Sequence, residues 1–327
     1  MTQTKPAVVL TKLERVILNS APASFFINKS RRIILPGFEG LALYDVVQYF
    51  LNQVKRVGLN VRAAAISFNF IMAIPAAAIF LFTLVPYLPI SKQFHNELFR
   101  IVRDITPNQE TQKFMVSFLD DIFNKPKGGM LSLGFILAVF YSSNAMMGII
   151  RTFDRSLVYR RRSNFVAKRW RAIRLTTIVI LLIIGTILIS LGQGVLFKSI
   201  LGYWGIHNSS IRFWIKTLRW LVILVLFLVS IGLIYKYAPS VTKRWRILSP
   251  GAIFAASVTI LVTMLFSIWV TNFSNYNKFY GSIGTVLILM FLIFINSLIL
   301  LVGFELNVSI SHLKKERDEQ NSLKEMD

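Results

Sequence analysis

The stretch Met130–Ile150, MLSLGFILAVFYSSNAMMGII, runs for 21 residues without one charged side chain. A helix needs about 20 predominantly apolar residues to cross the hydrocarbon core of a bilayer, and this run supplies them. Five further stretches read the same way: Ala63–Pro86, Leu175–Phe197, Thr217–Tyr235, Pro250–Thr271 and Ser282–Phe304. None is a barrel strand, which would be about ten residues long and alternating. The sequence therefore predicts an all-α polytopic transmembrane helical bundle of about six spans. Pro250 suits the first turn of its helix, where the missing N–H costs nothing. Pro75 lies inside the first span, where its ring removes one backbone hydrogen bond and predicts a kink.

Composition agrees. Of 327 residues, 54% are hydrophobic and 16% charged, against about 25% charged in soluble domains, and the mean hydropathy is +0.59. No cysteine is present, which excludes disulfides, thiol catalysis and cysteine-ligated metals. Met1–Ser20 has no continuous apolar core ahead of a small-residue cleavage site, so no cleaved signal peptide is expected. The net charge of +22 would suit a nucleic-acid binder, but its placement argues otherwise. Residues 1–62, 151–174, 236–249 and 305–327 hold 26 of the 37 Lys and Arg, and the alternate segments hold 11. Positive residues collect in short cytoplasmic segments, so both termini are expected inside. The loop Arg151–Arg174 carries nine bases against one acid, Asp154. It reads first as an orientation signal and second as a contact for anionic lipid headgroups. No nucleic-acid partner is expected, and a homo-oligomer is left open.

Outside the spans, residues 1–38 read as a variable N-terminal tail, 39–310 as the membrane domain and 311–327 as a charged cytoplasmic tail. Within residues 39–60, Leu43, Val46, Val47, Phe50, Val54 and Val57 form an apolar stripe at helical spacing, which predicts an amphipathic N-terminal helix along the inner interface or against the bundle. Residues 87–129 form the one sizeable extracytoplasmic segment. Apolar spacing there, around Phe94–Val102 and Phe114–Ile122, predicts short extracytoplasmic helices. Gly251 with Ala255, and Ala252 with Ala256, are small-xxx-small pairs that permit close helix contact.

The chemistry-bearing inventory is thin. The three histidines, His95, His207 and His312, have no metal-ligand spacing, and no GxxxxGK[ST] phosphate loop occurs. Asp120 and Asp121 are adjacent, so they point to different sides of a helix. No catalytic residue, metal or cofactor is implied. Polar residues inside the spans carry more, because each is costly in lipid. Asn69 lies seven residues past Arg62, and Asn144 seven before Arg151, both roughly 10 Å in from the cytoplasmic face; Asn296 lies nine before Glu305, roughly 13 Å in. These amides either line a polar cavity open to the cytoplasm or glue the helices together. Glu305, the one carboxylate touching a span, with Asn307 beside it, is either a proton or cation site or the partner of a loop arginine.

The stretches Tyr235–Pro239, Pro250–Ala252, Asn272–Tyr276, Tyr280-Gly-Ser-Ile-Gly284 and Gly303-Phe-Glu-Leu-Asn307 resemble the YihY/BrkB family of bacterial inner-membrane proteins. Arg62–Phe68 with Pro75 is similar to that family's first span, and Tyr141–Met147 leading to Arg151-Thr-Phe-Asp to its second. The resemblance covers roughly residues 40–310. It departs at Phe304, where the family commonly has a small residue before the glutamate. It implies a multi-pass protein of the bacterial cytoplasmic (inner) membrane, a virulence-factor label, and no defined molecular activity. Transport or translocation of a lipid or envelope component has been suggested for the family, which was also once labelled a tRNA-processing ribonuclease. Hydrolysing RNA needs metal ligands or paired acid and base groups, and none is visible. The expectation is thus a non-enzymatic transporter, with a membrane scaffold for envelope assembly as the alternative. Reporter fusions after residues 110, 207 and 277 are expected to report the outside, and fusions after 162 and 243 the cytoplasm. An active alkaline-phosphatase fusion at 162 would overturn that topology.

Overall fold

The structure, a computed structural model, describes residues 29–84, 112–113, 116–117, 120, 128–157, 163–191, 209–241, 244–272 and 276–325. Every regular element among them is a helix. In chain order these are α1 (Leu43–Val57), α2 (Leu59–Leu84), α3 (Gly128–Ser156), α4 (Phe165–Leu191), α5 (Ser209–Tyr237), α6 (Pro250–Asn272) and α7 (Tyr276–Lys324). Among the described residues four helical stretches are long and apolar enough to cross a membrane: Leu59–Leu81, Leu131–Ser156, Pro250–Val270 and Val286–Lys324, while Leu221–Tyr237 is a shorter apolar one. The expected span Leu175–Phe197 is helical as far as Leu191 and then leaves the described residues. Most of the expected extracytoplasmic helices, and the loop around Asn275, also lie outside them.

The chain divides into two compact units, residues 58–304 and residues 1–57 with 305–327. In the first, α2 and α3 form an antiparallel pair. Arg62 donates to Ser156 Oγ at 2.7 Å, Asn69 lies against Gly148, and the backbone of Phe80 lies against Gly134, so ascending one helix descends the other. Farther along the chain the fit tightens. A methyl group on Gly303 would sit 2.6 Å from both the Gly251 carbonyl oxygen and the Tyr235 hydroxyl. Only glycine allows α6 and α7 to approach so closely. Ala255 meets the same position at 2.8 Å, and Ala252 and Ala256 of α6 are buried as well. The Tyr235 hydroxyl donates to the Leu300 carbonyl at 2.6 Å. Phe304 is fully buried, stacks on Phe153 with ring centroids 3.7 Å apart, and meets Tyr235 and Trp245 edge-on.

Large apolar residues elsewhere are exposed, among them Phe135 and Ile136 on α3, Leu181 and Ile183 on α4, and Leu261, Met264 and Leu265 on α6. Acyl chains are as apolar as leucine, so such surface has no drive to be covered by protein.

In the other unit, Phe38, Leu41, Val46 and Ile310 form a buried cluster, with Leu43, Leu306 and Leu313 packed on it. The α1 stripe is therefore used in part: Val46 is buried and Leu43 packs on the cluster, whereas Val47 is exposed. Residues 33–43 make a compact turn, with Leu43 N–H bonded to the Ile33 carbonyl at 2.9 Å. Arg317 donates to the carbonyls of Glu39 and Gly40, and Lys314 pairs with Glu39. Tyr49 stacks on His312 at 5.1 Å. Burial, and then the charge of Glu316, push the Tyr49 hydroxyl above its ordinary pKa.

Gly303→Ala is expected to cost at least ~1–3 kcal/mol by overpacking, read as a lower melting temperature in detergent. Gly185→Ala, with nothing within 4 Å of the added methyl, is the control. Equal stability of the two variants would contradict the close approach of α6 and α7.

Candidate functional site

Asp154 on the last turn of α3 and the bases on the first turns of α4 meet the segment that leaves α5. Asp154 is only 2% exposed although it lies in the most basic stretch of the chain. Its Oδ1 accepts the Ser240 N–H at 2.9 Å, and its Oδ2 accepts the Ser240 hydroxyl at 3.0 Å and the Lys168 ammonium at 2.8 Å. A buried carboxylate is tolerable only when paired and hydrogen-bonded, and this one is both. Ser240, having given its proton to Asp154, accepts from Arg171 Nη1 at 3.0 Å. The same nitrogen donates to the Ala238 carbonyl at 3.2 Å, and Nη2 donates to Ser163 Oγ at 2.9 Å. The end of α3, the start of α4 and the segment leaving α5 are thereby tied at one node.

The amides singled out by depth have separate partners. Asn69 donates to the Ala65 carbonyl of its own helix at 2.7 Å, and its amide faces Gly148. Gly148 is one turn from Asn144 on α3, so Asn69 and Asn144 use the same flank of that helix. Asn144 Oδ1 accepts from Arg169 Nη1, and the Arg169 guanidinium lies 5.0 Å from the centroid of the Phe140 ring. Asn296 is half-buried, and its Oδ1 has no hydrogen-bond partner among the described residues. No hydrogen bond joins the three amides among the described residues. Glu305 and Asn307 are buried at 0% and 3% exposure and belong to the second unit. Among the described residues no group of three or more His, Cys, Asp or Glu side chains is placed to hold a metal.

The residues that sequence reasoning passed over are Asp154, Lys168, Arg169, Arg171 and Ser240. One signal was available: a single acid kept among nine bases suits a structural ion pair, since a solvated loop gains nothing from it. Asp154→Ala would strand the Lys168 ammonium. Its expected cost is ~3–5 kcal/mol, measured by thermal unfolding in detergent. A loss below about 1 kcal/mol, the worth of an exposed pair, would contradict the buried node.

The family model described as virulence factor BrkB matches residues 50–326. YfkH of Bacillus subtilis, whose name calls it ribonuclease-like, is 27% identical over 258 residues, covering 79% of this chain and 92% of that protein. A UPF0761 membrane protein of Tolumonas auensis is 22% identical over 275 residues, covering 82% and 86% of the two chains. Another from Psychromonas ingrahamii is 24% identical over 220 residues, covering 67% and 70%. No solved structure matches the chain.

Proposed function

From the premise that this chain belongs to the virulence factor BrkB family, we propose that it is a six-span protein of the bacterial inner membrane, both termini cytoplasmic, that binds and translocates an anionic lipid or envelope component. The observation that carries this reading is Arg169. Its guanidinium reaches from the second turn of α4 to Asn144 and Phe140 on α3, roughly 10 Å inside the cytoplasmic face by helix rise. A charge at such depth is expensive and is kept where it has a task. The Asn144 amide is neutral, so it anchors the guanidinium without cancelling its charge, and no carboxylate pairs with Arg169 among the described residues. A retained cation beside an apolar seam suits an anionic headgroup whose chains stay in lipid. The surrounding Lys and Arg would enrich such lipids at about 1 kcal/mol per base near the surface.

The ribonuclease-like wording belongs to one relative's name, and the reading adopted for this chain is non-enzymatic. In vesicles containing the purified protein, labelled phosphatidylglycerol is expected to exchange between leaflets faster than in empty vesicles. Arg169→Gln is expected to slow that exchange about tenfold, the effect of one charge-assisted contact, at unchanged folded yield. A wild-type rate equal to that of empty vesicles would overturn the proposal. An effect of Arg169→Gln that only tracks protein amount would favour the scaffold role.

A further inference from the structure

A cavity of about 380 Å³ opens between the start of α4 and the segment that leaves α5. This lies within the roughly 300–1,000 Å³ typical of small-molecule sites. Its polar lining is Ser163, Asn164, Arg171, Tyr237, Ser240 and Arg244, with two arginines and no carboxylate among the lining residues. Asp154 stands behind this wall, and the Lys168 ammonium at 2.8 Å offsets its charge. The cavity therefore keeps a net positive charge.

We infer that this cavity is a binding site for a phosphate group, with Arg171, Arg244 and Ser163 as its donors. The inference goes beyond the translocation reading, because the cavity does not include Arg169 and is a second place where an anion is recognised. Arg171 is fixed before any ligand arrives, because three of its five N–H donors are bound to Ser240, Ala238 and Ser163. Its Nε–H and one Nη2 hydrogen are left over among the described bonds. A guanidinium already immobilised loses little entropy on binding an anion.

The hydroxyl protons are directed as well. Ser240 gives its proton to Asp154, so toward the cavity it is an acceptor already occupied by Arg171. Ser163 accepts from Arg171, which leaves its own proton for an acceptor oxygen. Arg244 is exposed and held 5.1 Å from the centroid of the Tyr237 ring. A tetrahedral phosphate offers several acceptor oxygens to two guanidinium forks and a hydroxyl, whereas a carboxylate offers only two.

The surroundings fit a phosphate carried by lipid. Phe165, Val166 and Trp170 on the first turns of α4 are 66%, 76% and 62% exposed. Aromatic and apolar residues beside bases suit a membrane interface. A lipid headgroup and a free phosphate share the same chemistry, and the test separates them.

Full-length protein in detergent is titrated with inorganic phosphate, with dihexanoyl phosphatidylglycerol, and with dihexanoylglycerol as the phosphate-free control, following ligand-dependent thermal stabilisation. Saturable stabilisation by either phosphate probe but not the control is expected. Its affinity should fall about tenfold or more in Arg244→Gln and in Ser163→Ala. Response to the lipid alone assigns a headgroup, and response to inorganic phosphate assigns a soluble anion; both support the site. Arg244 makes no backbone bond among the described contacts, so its variant stays informative if Arg171→Gln fails to fold. No saturable response to either phosphate probe, or equal affinity in wild type and both variants, overturns the inference. The leaflet-exchange rate of the same Arg244→Gln protein is read separately. Lost binding with no wild-type exchange would sink translocation and leave the phosphate site standing.

Discussion

A carboxylate taken out of water must be compensated in full, and the ends of three helices are arranged around that requirement at Asp154. Its two oxygens take the backbone and hydroxyl of Ser240 and the ammonium of Lys168, which sets the direction of the Ser240 proton and hence the seat of Arg171. Removing one partner of a buried pair costs more than the pair contributes, because the survivor stays buried and unpaired. The node is therefore a device of specificity. It fixes where α3 ends, where α4 begins and how the chain leaves α5, and so it sets the wall of the basic cavity.

Bilayer solvation explains why packing is concentrated elsewhere than along whole helices. Lipid accepts apolar side chains as readily as another helix does, so close contact must come from shape and hydrogen bonds. The α6–α7 contact supplies the shape through Gly303, Gly251 and Ala255. The Tyr235 hydroxyl, bonded to the Leu300 carbonyl, supplies the bond. The stacked Phe153 and Phe304 rings link this contact to α3, the helix that also carries Asp154 and Asn144. Arg169 reaching Asn144 and Arg171 reaching Ser240 then present two cations, two residues apart on α4, at different places in one unit.

Much of the architecture is legible in the sequence because it depends on length and hydropathy alone. The uncharged run Met130–Ile150 lies within α3, Pro250 opens α6, and the small residues Gly251 and Ala255 meet α7 at Gly303. The resemblance to the family rests on short polar and glycine motifs such as Gly303–Asn307, and the family model matches residues 50–326. The site was harder to read. Helices that are apolar all round do not reveal which face turns inward, so depth placed Asn69, Asn144 and Asn296 without saying what each touches. Asn69 turns to its own backbone, and Asn144 is bound by Arg169. Arg169 and Asp154 were hidden for a different reason: counting loop charges for orientation treats each base as equivalent, whereas burial distinguishes them.

The central claim is that the buried carboxylate organises the cationic cavity through Ser240 and Arg171. A double-mutant cycle of Ser240→Ala and Ser163→Ala, read as affinity for the phosphate probe that stabilises the wild type, tests it most directly, since each change removes one of the bonds that hold Arg171. The account predicts that the two effects are coupled by about 0.5–3 kcal/mol, as for members of one hydrogen-bonded network. Effects that add to within about 0.3 kcal/mol, as for independent sites, would contradict it.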